Sequence, residues 1–116
     1  REIPMSADAT VDLIINQKSS FQVTFIVKDN GSVVNLTGYS VVAKYKQSYQ
    51  TPDNQSTAMT ATVSNASQGQ VTIALSAAET ALLQVTKYVY DVAIVDNTGF
   101  KTRIVEGSIR VSPGVA

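Results

Sequence analysis

From Ser20 to Lys28 the chain alternates apolar and polar residues, placing Phe21, Val23, Phe25 and Val27 at every second position. A period of two puts these four side chains on one face of a strand and Gln22, Thr24 and Lys28 on the other. A helix cannot use this pattern, because its 3.6-residue turn would scatter the four apolar groups around the cylinder. Ile26 is the single apolar residue on the polar phase. Asp29-Asn30-Gly31 follows directly and supplies residues that tolerate positive φ, so the strand ends in a hairpin tip leading to Val33-Val34.

The same grammar recurs along the chain. Val11 to Asn16 reads as a first strand, and Tyr39 to Gln47 as a third, with Val41, Ala43 and Tyr45 facing one way and Val42, Lys44 and Lys46 the other. Ser48 to Ser56 lacks periodicity and contains Pro52, which marks a polar surface loop. Thr57 to Val63 is a weaker strand, Asn65 to Gly69 a turn, and Gln70 to Leu75 a stronger strand with Val71, Ile73 and Leu75 on one face. Val85 to Asp96 carries Tyr88, Tyr90, Val92 and Ile94 inward and Asp91 outward, before a turn at Asp96-Asn97-Thr98-Gly99. Lys101 to Val111 completes the set, with Val105, Ile109 and Val111 on the apolar phase and Gly107 marking a bulge or a close approach. Sixteen valines against five leucines favour a pleated surface throughout.

One helix interrupts this pattern. Ser76-Ala77-Ala78-Glu79 has the spacing in which serine caps an early amide and glutamate reaches back to the cap, and Ala81-Leu82-Leu83 continues for about two turns. Seven or so strands with turn signals between them, and a short helix before the penultimate one, predict an all-β Greek-key sandwich, with a small barrel as the alternative. Residues 1–10 read as an extended N-terminal arm, 11–113 as one sandwich domain and 114–116 as a tail. The length of 116 residues suits a single domain needing no disulfide or metal staple.

Composition narrows function more by exclusion. With no His and no Cys, neither a Ser-His-Asp triad nor a thiolate nucleophile can be built, and zinc, haem and iron-sulfur sites lose their usual ligands. Nine basic and nine acidic residues leave no net charge to neutralise phosphates, which argues against a nucleic-acid partner. No apolar run approaches the ~20 residues of a membrane helix, and a membrane partner is not expected. Asp91, Asp96 and Glu106 are the carboxylates that a glycosidase pair would draw on, but outward charges on strands normally form a solvated face. Asp29-Asn30-Gly31 and Asp96-Asn97 are oxygen-rich, yet turn chemistry accounts for both and no calcium-loop spacing is present. The expectation is therefore no enzyme, no cofactor and no metal. Asn-x-Ser/Thr triplets at Asn30, Asn35, Asn54 and Asn65 follow from a turn composition rich in Asn, Ser and Thr. An Arg1 start suggests a matured or excised piece, because initiator methionine is normally removed only before a small residue.

Contact residues are the remaining candidates. Tyr49 and Pro52 sit in the polar loop, Phe100 follows a hairpin turn, and Arg1, Glu2, Ile3 and Pro4 begin an arm able to lie on neighbouring subunits. Tyr88 is a candidate tyrosine-corner residue, its hydroxyl bonded back to the backbone.

Several segments, in matching order from about Asp12 to Pro113, carry a family resemblance. They are Asp12-Leu13-Ile14-Ile15-Asn16-Gln17, Phe21-x-Val-x-Phe-x-Val-Lys-Asp29 with Leu36-Thr37-Gly38-Tyr39, Leu75-Ser76-Ala77-x-Glu79-Thr80, and Tyr88-Val89-Tyr90-Asp91 with Val105-Glu106-Gly107 and Ser112-Pro113. Together they resemble the small Ig-like virion proteins of tailed bacteriophages, and are similar to the N-terminal domain of upper baseplate proteins. The chain departs from many relatives in having Lys18 where glycine often stands, and Gln84-Val85-Thr86 where a proline-glycine turn is common. The resemblance implies an Ig-like β-sandwich and a non-enzymatic structural protein of the virion, joined to the tail, baseplate or fibre apparatus by contacts with other virion proteins. A capsid decoration protein is the alternative; a homo-oligomer and a host-glycan-binding module using Tyr49 and Phe100 are further options.

Overall fold

In the computed structural model, the described residues are the backbone of 2–4 and the chain from 9 to 115. Two sheets pack face to face. The first runs in the order β1 (Glu2–Pro4), β4 (Phe21–Asp29), β9 (Gln70–Leu75), β8 (Thr60–Asn65), with β5 (Ser32–Val33) paired to the end of β4. The second runs β2 (Ala9–Thr10), β11 (Lys101–Ser112), β10 (Lys87–Val95), β6 (Ser40–Lys46), β7 (Thr57–Ala58), with β3 (Leu13–Asn16) also paired to β11. The helix α1 spans Ala77–Ala81. The chain is thus an all-β sandwich, as its alternation predicts, with seven principal strands and four of two or three residues among the described residues.

The alternating residues meet between the sheets. Phe25, Val27, Val71 and Ile73 from the first sheet and Ile15, Val92, Ile94, Val105 and Ile109 from the second are essentially without solvent exposure. Leu36, Met59 and Leu83, from the connections, belong to the same core. Burying each of these side chains contributes roughly 1.5–3 kcal/mol, so the sandwich needs no covalent staple. Ile104 belongs to the core although it lies off the alternating phase of β11. Val92 pairs with Val105 but the next residue, Ala93, pairs with Arg103, so Ile104 is an extra residue in a β-bulge, and the bulge turns both Ile104 and Val105 inward.

Gly107 is a close approach, and the bulge of β11 lies elsewhere. The Val11 backbone crosses the inner side of β11 at this glycine: a Cβ on Gly107 would stand 2.1 Å from the Val11 carbonyl oxygen. The crossing is fixed by the Val11 N–H donating to Glu106 O at 2.9 Å, and by the buried Tyr90 hydroxyl donating to Val11 O at 2.6 Å. Next to it, the Ser108 N–H and hydroxyl both donate to Asp12 Oδ1, at 3.1 and 3.0 Å.

Two expectations are refined. The weak strand of Thr57 to Val63 is two strands in different sheets, because Met59 is buried between them and its N–H donates to Ala43 O. The helix is shorter than two turns, although its capping box forms as expected: Glu79 N–H donates to Ser76 Oγ at 3.1 Å and Ser76 N–H to Glu79 Oε1 at 2.8 Å. The connection at Gln84-Val85-Thr86 closes without proline or glycine. Gln84 N–H donates to the Tyr88 hydroxyl at 2.9 Å, which is the tyrosine-corner type of bond, and Val111 N–H donates to Thr86 O.

Lys18 has φ of 67°. A side chain in this left-handed region costs on the order of 1 kcal/mol, partly offset by the greater unfolded-state freedom of glycine. Lys18→Gly is expected to raise the thermal midpoint by a few degrees, as read by circular dichroism.

Candidate interaction surfaces

The outward residues of the second sheet form rows across its strands. Lys46 stands beside Val89; Lys44 beside Asp91 and then Glu106; Val42 beside Ala93 and then Arg103; Ser40 beside Val95 and then Lys101. Arg103 pairs with Glu106 at 3.0 Å. Between this face and the loop after β6 lies a groove of about 360 Å³, lined by Lys44, Lys101, Arg103, Asp91 and Tyr49 among others.

Lys46 holds the loop wall in place. Its ammonium donates to Thr51 O and to Asp53 Oδ1, both at 2.9 Å, and only 18% of its side chain is exposed. Within the loop, Thr51 N–H donates to Ser48 O, Ser48 N–H to Thr51 Oγ1, and the Ser56 hydroxyl to Asp53 O. Pro52, exposed, precedes the 3-10 turn Asp53–Gln55, where a residue without N–H loses nothing. The loop the composition marks as irregular is therefore hydrogen-bonded along its length, and it presents Tyr49 at 62% exposure.

Phe100 is 70% exposed and directly precedes Lys101, a residue of the groove. Asp96 shapes its turn: Thr98 N–H, the Thr98 hydroxyl and Phe100 N–H all donate to Asp96 Oδ1. Tyr49 and the turn bearing Phe100 thus border one face, whereas Glu2, Ile3 and Pro4 do not. Their backbone runs parallel to Ile26–Lys28 on β4, in the other sheet. Arg1 lies outside the described residues. Ala9–Thr10, assigned to the arm by composition, pairs parallel with Val105–Glu106. Of the carboxylates, Asp91 and Glu106 are cross-strand partners, Glu106 is paired with Arg103, and Asp96 is engaged by its turn.

A second hollow, of about 450 Å³, opens at one end of the sandwich between the same loop and the α1–β10 connection. Its floor is the edge-to-face pair Tyr45 and Tyr88, ring centroids 5.5 Å apart, and Leu82 stands at its rim at 85% exposure. Burial holds the Tyr45 phenol above its ordinary value, against the opposing effect of a hydrogen bond with Thr57.

Sequence reading missed Lys44, Lys101, Asp91 and Arg103 as one surface. The outward phase of Lys44 and Asp91 was visible, but only strand order and register bring Lys101 and Arg103 beside them. Among the described residues, no three side chains of His, Cys, Asp or Glu gather into a metal-ligand cluster.

Neither a protein-family model nor a curated protein matches the chain. Solved structures do match. Among them, the N-terminal domain of phage TP901-1 ORF48 superposes with a TM-score of 0.64 over 96% of this chain and 94% of that one, at 10% sequence identity. At that identity the likeness is one of fold.

Two outcomes follow from the electrostatics and the loop. Hydrogen bonds from Ser108 hold the Asp12 carboxyl below the ordinary aspartate value of 3.8; Lys46 does so for Asp53, and Thr98 with Phe100 for Asp96. A depressed folded pKa gives stability that is present above 3.8 and lost as pH falls through the lowered values. Thermal midpoints should therefore drop as pH falls below about 4, and the Asp12→Asn/Asp53→Asn/Asp96→Asn variant should show a flatter acid limb. Lys46→Met should leave the fold intact by far-UV circular dichroism and speed amide exchange at Thr51 and Ser56 by about tenfold or more, since the loop then loses its charged anchor.

Proposed function

We propose that the protein is a structural component of a tailed-phage particle, joined to the tail, baseplate or fibre apparatus by contacts with other virion proteins, and that it has no enzymatic activity. The observation that carries this reading is the end-to-end match of its fold to a domain of a phage protein. The ordered motifs from Asp12 to Pro113 that resemble upper baseplate N-terminal domains point the same way. The second sheet supports a contact role further, since the groove on its outward face is lined by the exposed Tyr49 and by Arg103, residue types enriched at protein interfaces.

The test is location and copy number in purified particles, by quantitative mass spectrometry and immunogold labelling. The reading expects label at the tail or baseplate and a copy number matching the symmetry of that apparatus. Label spread over the capsid at hundreds of copies would replace it with a head decoration role, and absence from the particles would overturn it.

A further inference from the structure

We propose that the groove on the outer face of the second sheet is the docking site for an acidic polypeptide segment of a partner protein, seated by Lys44 and Lys101 on either side of β10. The inference rests on the structural role proposed above and names the chemistry of the contact. Two of the charges on this face are already spent internally: Lys46 on Asp53, at 2.9 Å, and Arg103 on Glu106, at 3.0 Å. Lys44 and Lys101 are exposed, line the groove, and make no ion pair among the described residues. The remaining pattern is two available cations, Lys44 beside Asp91 and Lys101 on the opposite neighbouring strand beside Val95, with Tyr49 lining the same groove.

That pattern selects a polypeptide over a uniform polyanion. A run of phosphates or sulfates filling the groove from one lysine to the other would lie against Asp91 and Asp53, which line it too, and be repelled by them. A peptide can place carboxylates at the lysines and a cationic or amide donor at Asp91. The register gives the spacing. Lys44 stands beside Asp91 and Lys101 beside Val95, four residues further along β10 and on the opposite neighbouring strand. The two lysines are thus about 13 Å apart along the strands and about 10 Å across them. An extended segment with acidic side chains about four residues apart, which keeps both on one face, covers most of that diagonal, and the flexible Lys and Glu side chains reach across the rest. Tyr49, held by the Lys46-anchored loop, then covers an apolar residue of the segment with little ordering cost.

The probe is a synthetic peptide with two Glu about four residues apart flanking a Lys, titrated into the isotopically labelled full chain and followed by amide chemical shifts. The expected result is saturable shifts at Tyr49, Lys44, Asp91 and Lys101. Affinity should fall about tenfold or more for the Gln-for-Glu peptide and for the Lys44→Glu/Lys101→Glu variant, whose fold is checked by circular dichroism. Shifts that map elsewhere, an unchanged affinity in the variant, or tighter binding of heparin or a DNA oligonucleotide at the same residues would overturn the proposal. Particle incorporation separates it from the reading it rests on. Wild-type protein in particles with the charge-reversed variant incorporated equally well sinks the groove alone, whereas absence of the wild type sinks the structural role.

Discussion

The sandwich depends on one backbone crossing. Val11 passes over β11 at a point where only glycine leaves room, and the Tyr90 hydroxyl and the Glu106 carbonyl hold it there from two sides. This crossing delivers β2 and β3 to the same edge of β11 in parallel, with Asp12 bonded to Ser108 between them. Leu13 and Ile15 consequently point into the core. If the crossing were lost, a whole edge of the second sheet would be exposed, and the apolar residues behind it with it.

The same sheet is rigid where it bears its charges. β10 is paired on both sides from Val89 to Val95, to β6 and β11, so the outward residues of three strands are held in fixed rows. The bulge at Ile104 sets which of those residues face outward: it shifts the phase of β11 so that Arg103 and Lys101 join Lys44 and Asp91 on one surface. A local irregularity in the backbone therefore composes the groove. The loop that walls it is tied down by Lys46, a lysine whose charge is spent on building the site and not on binding at it.

Much of this was legible in the residues. The alternation in β4 and β10, the turn at Asn30-Gly31, and the serine-glutamate cap of α1 are local signals, and local chemistry decides them. Where the chain reads differently in three dimensions, long-range contact decides. Thr57 to Val63 looks like one weak strand, but a buried Met59 splits it between sheets; β11 looks uniformly alternating, but pairing with β10 inserts Ile104. Gly107 was ambiguous between a bulge and a close approach, because the residue it accommodates, Val11, lies far away along the chain. For the same reason Tyr49 and Phe100 could be picked out singly as exposed aromatics, while the lysines and Asp91 could not be assembled into a groove.

The Gly107 crossing is tested most directly by urea unfolding of Gly107→Ala beside the wild type. A methyl group has nowhere to go against a backbone carbonyl, so the account predicts a loss of about 3 kcal/mol, near the upper end for overpacking. Faster amide exchange along β2 and β3 should accompany it. A loss below about 0.5 kcal/mol, the range of an unremarkable surface substitution, with unchanged exchange at Val11, would contradict it.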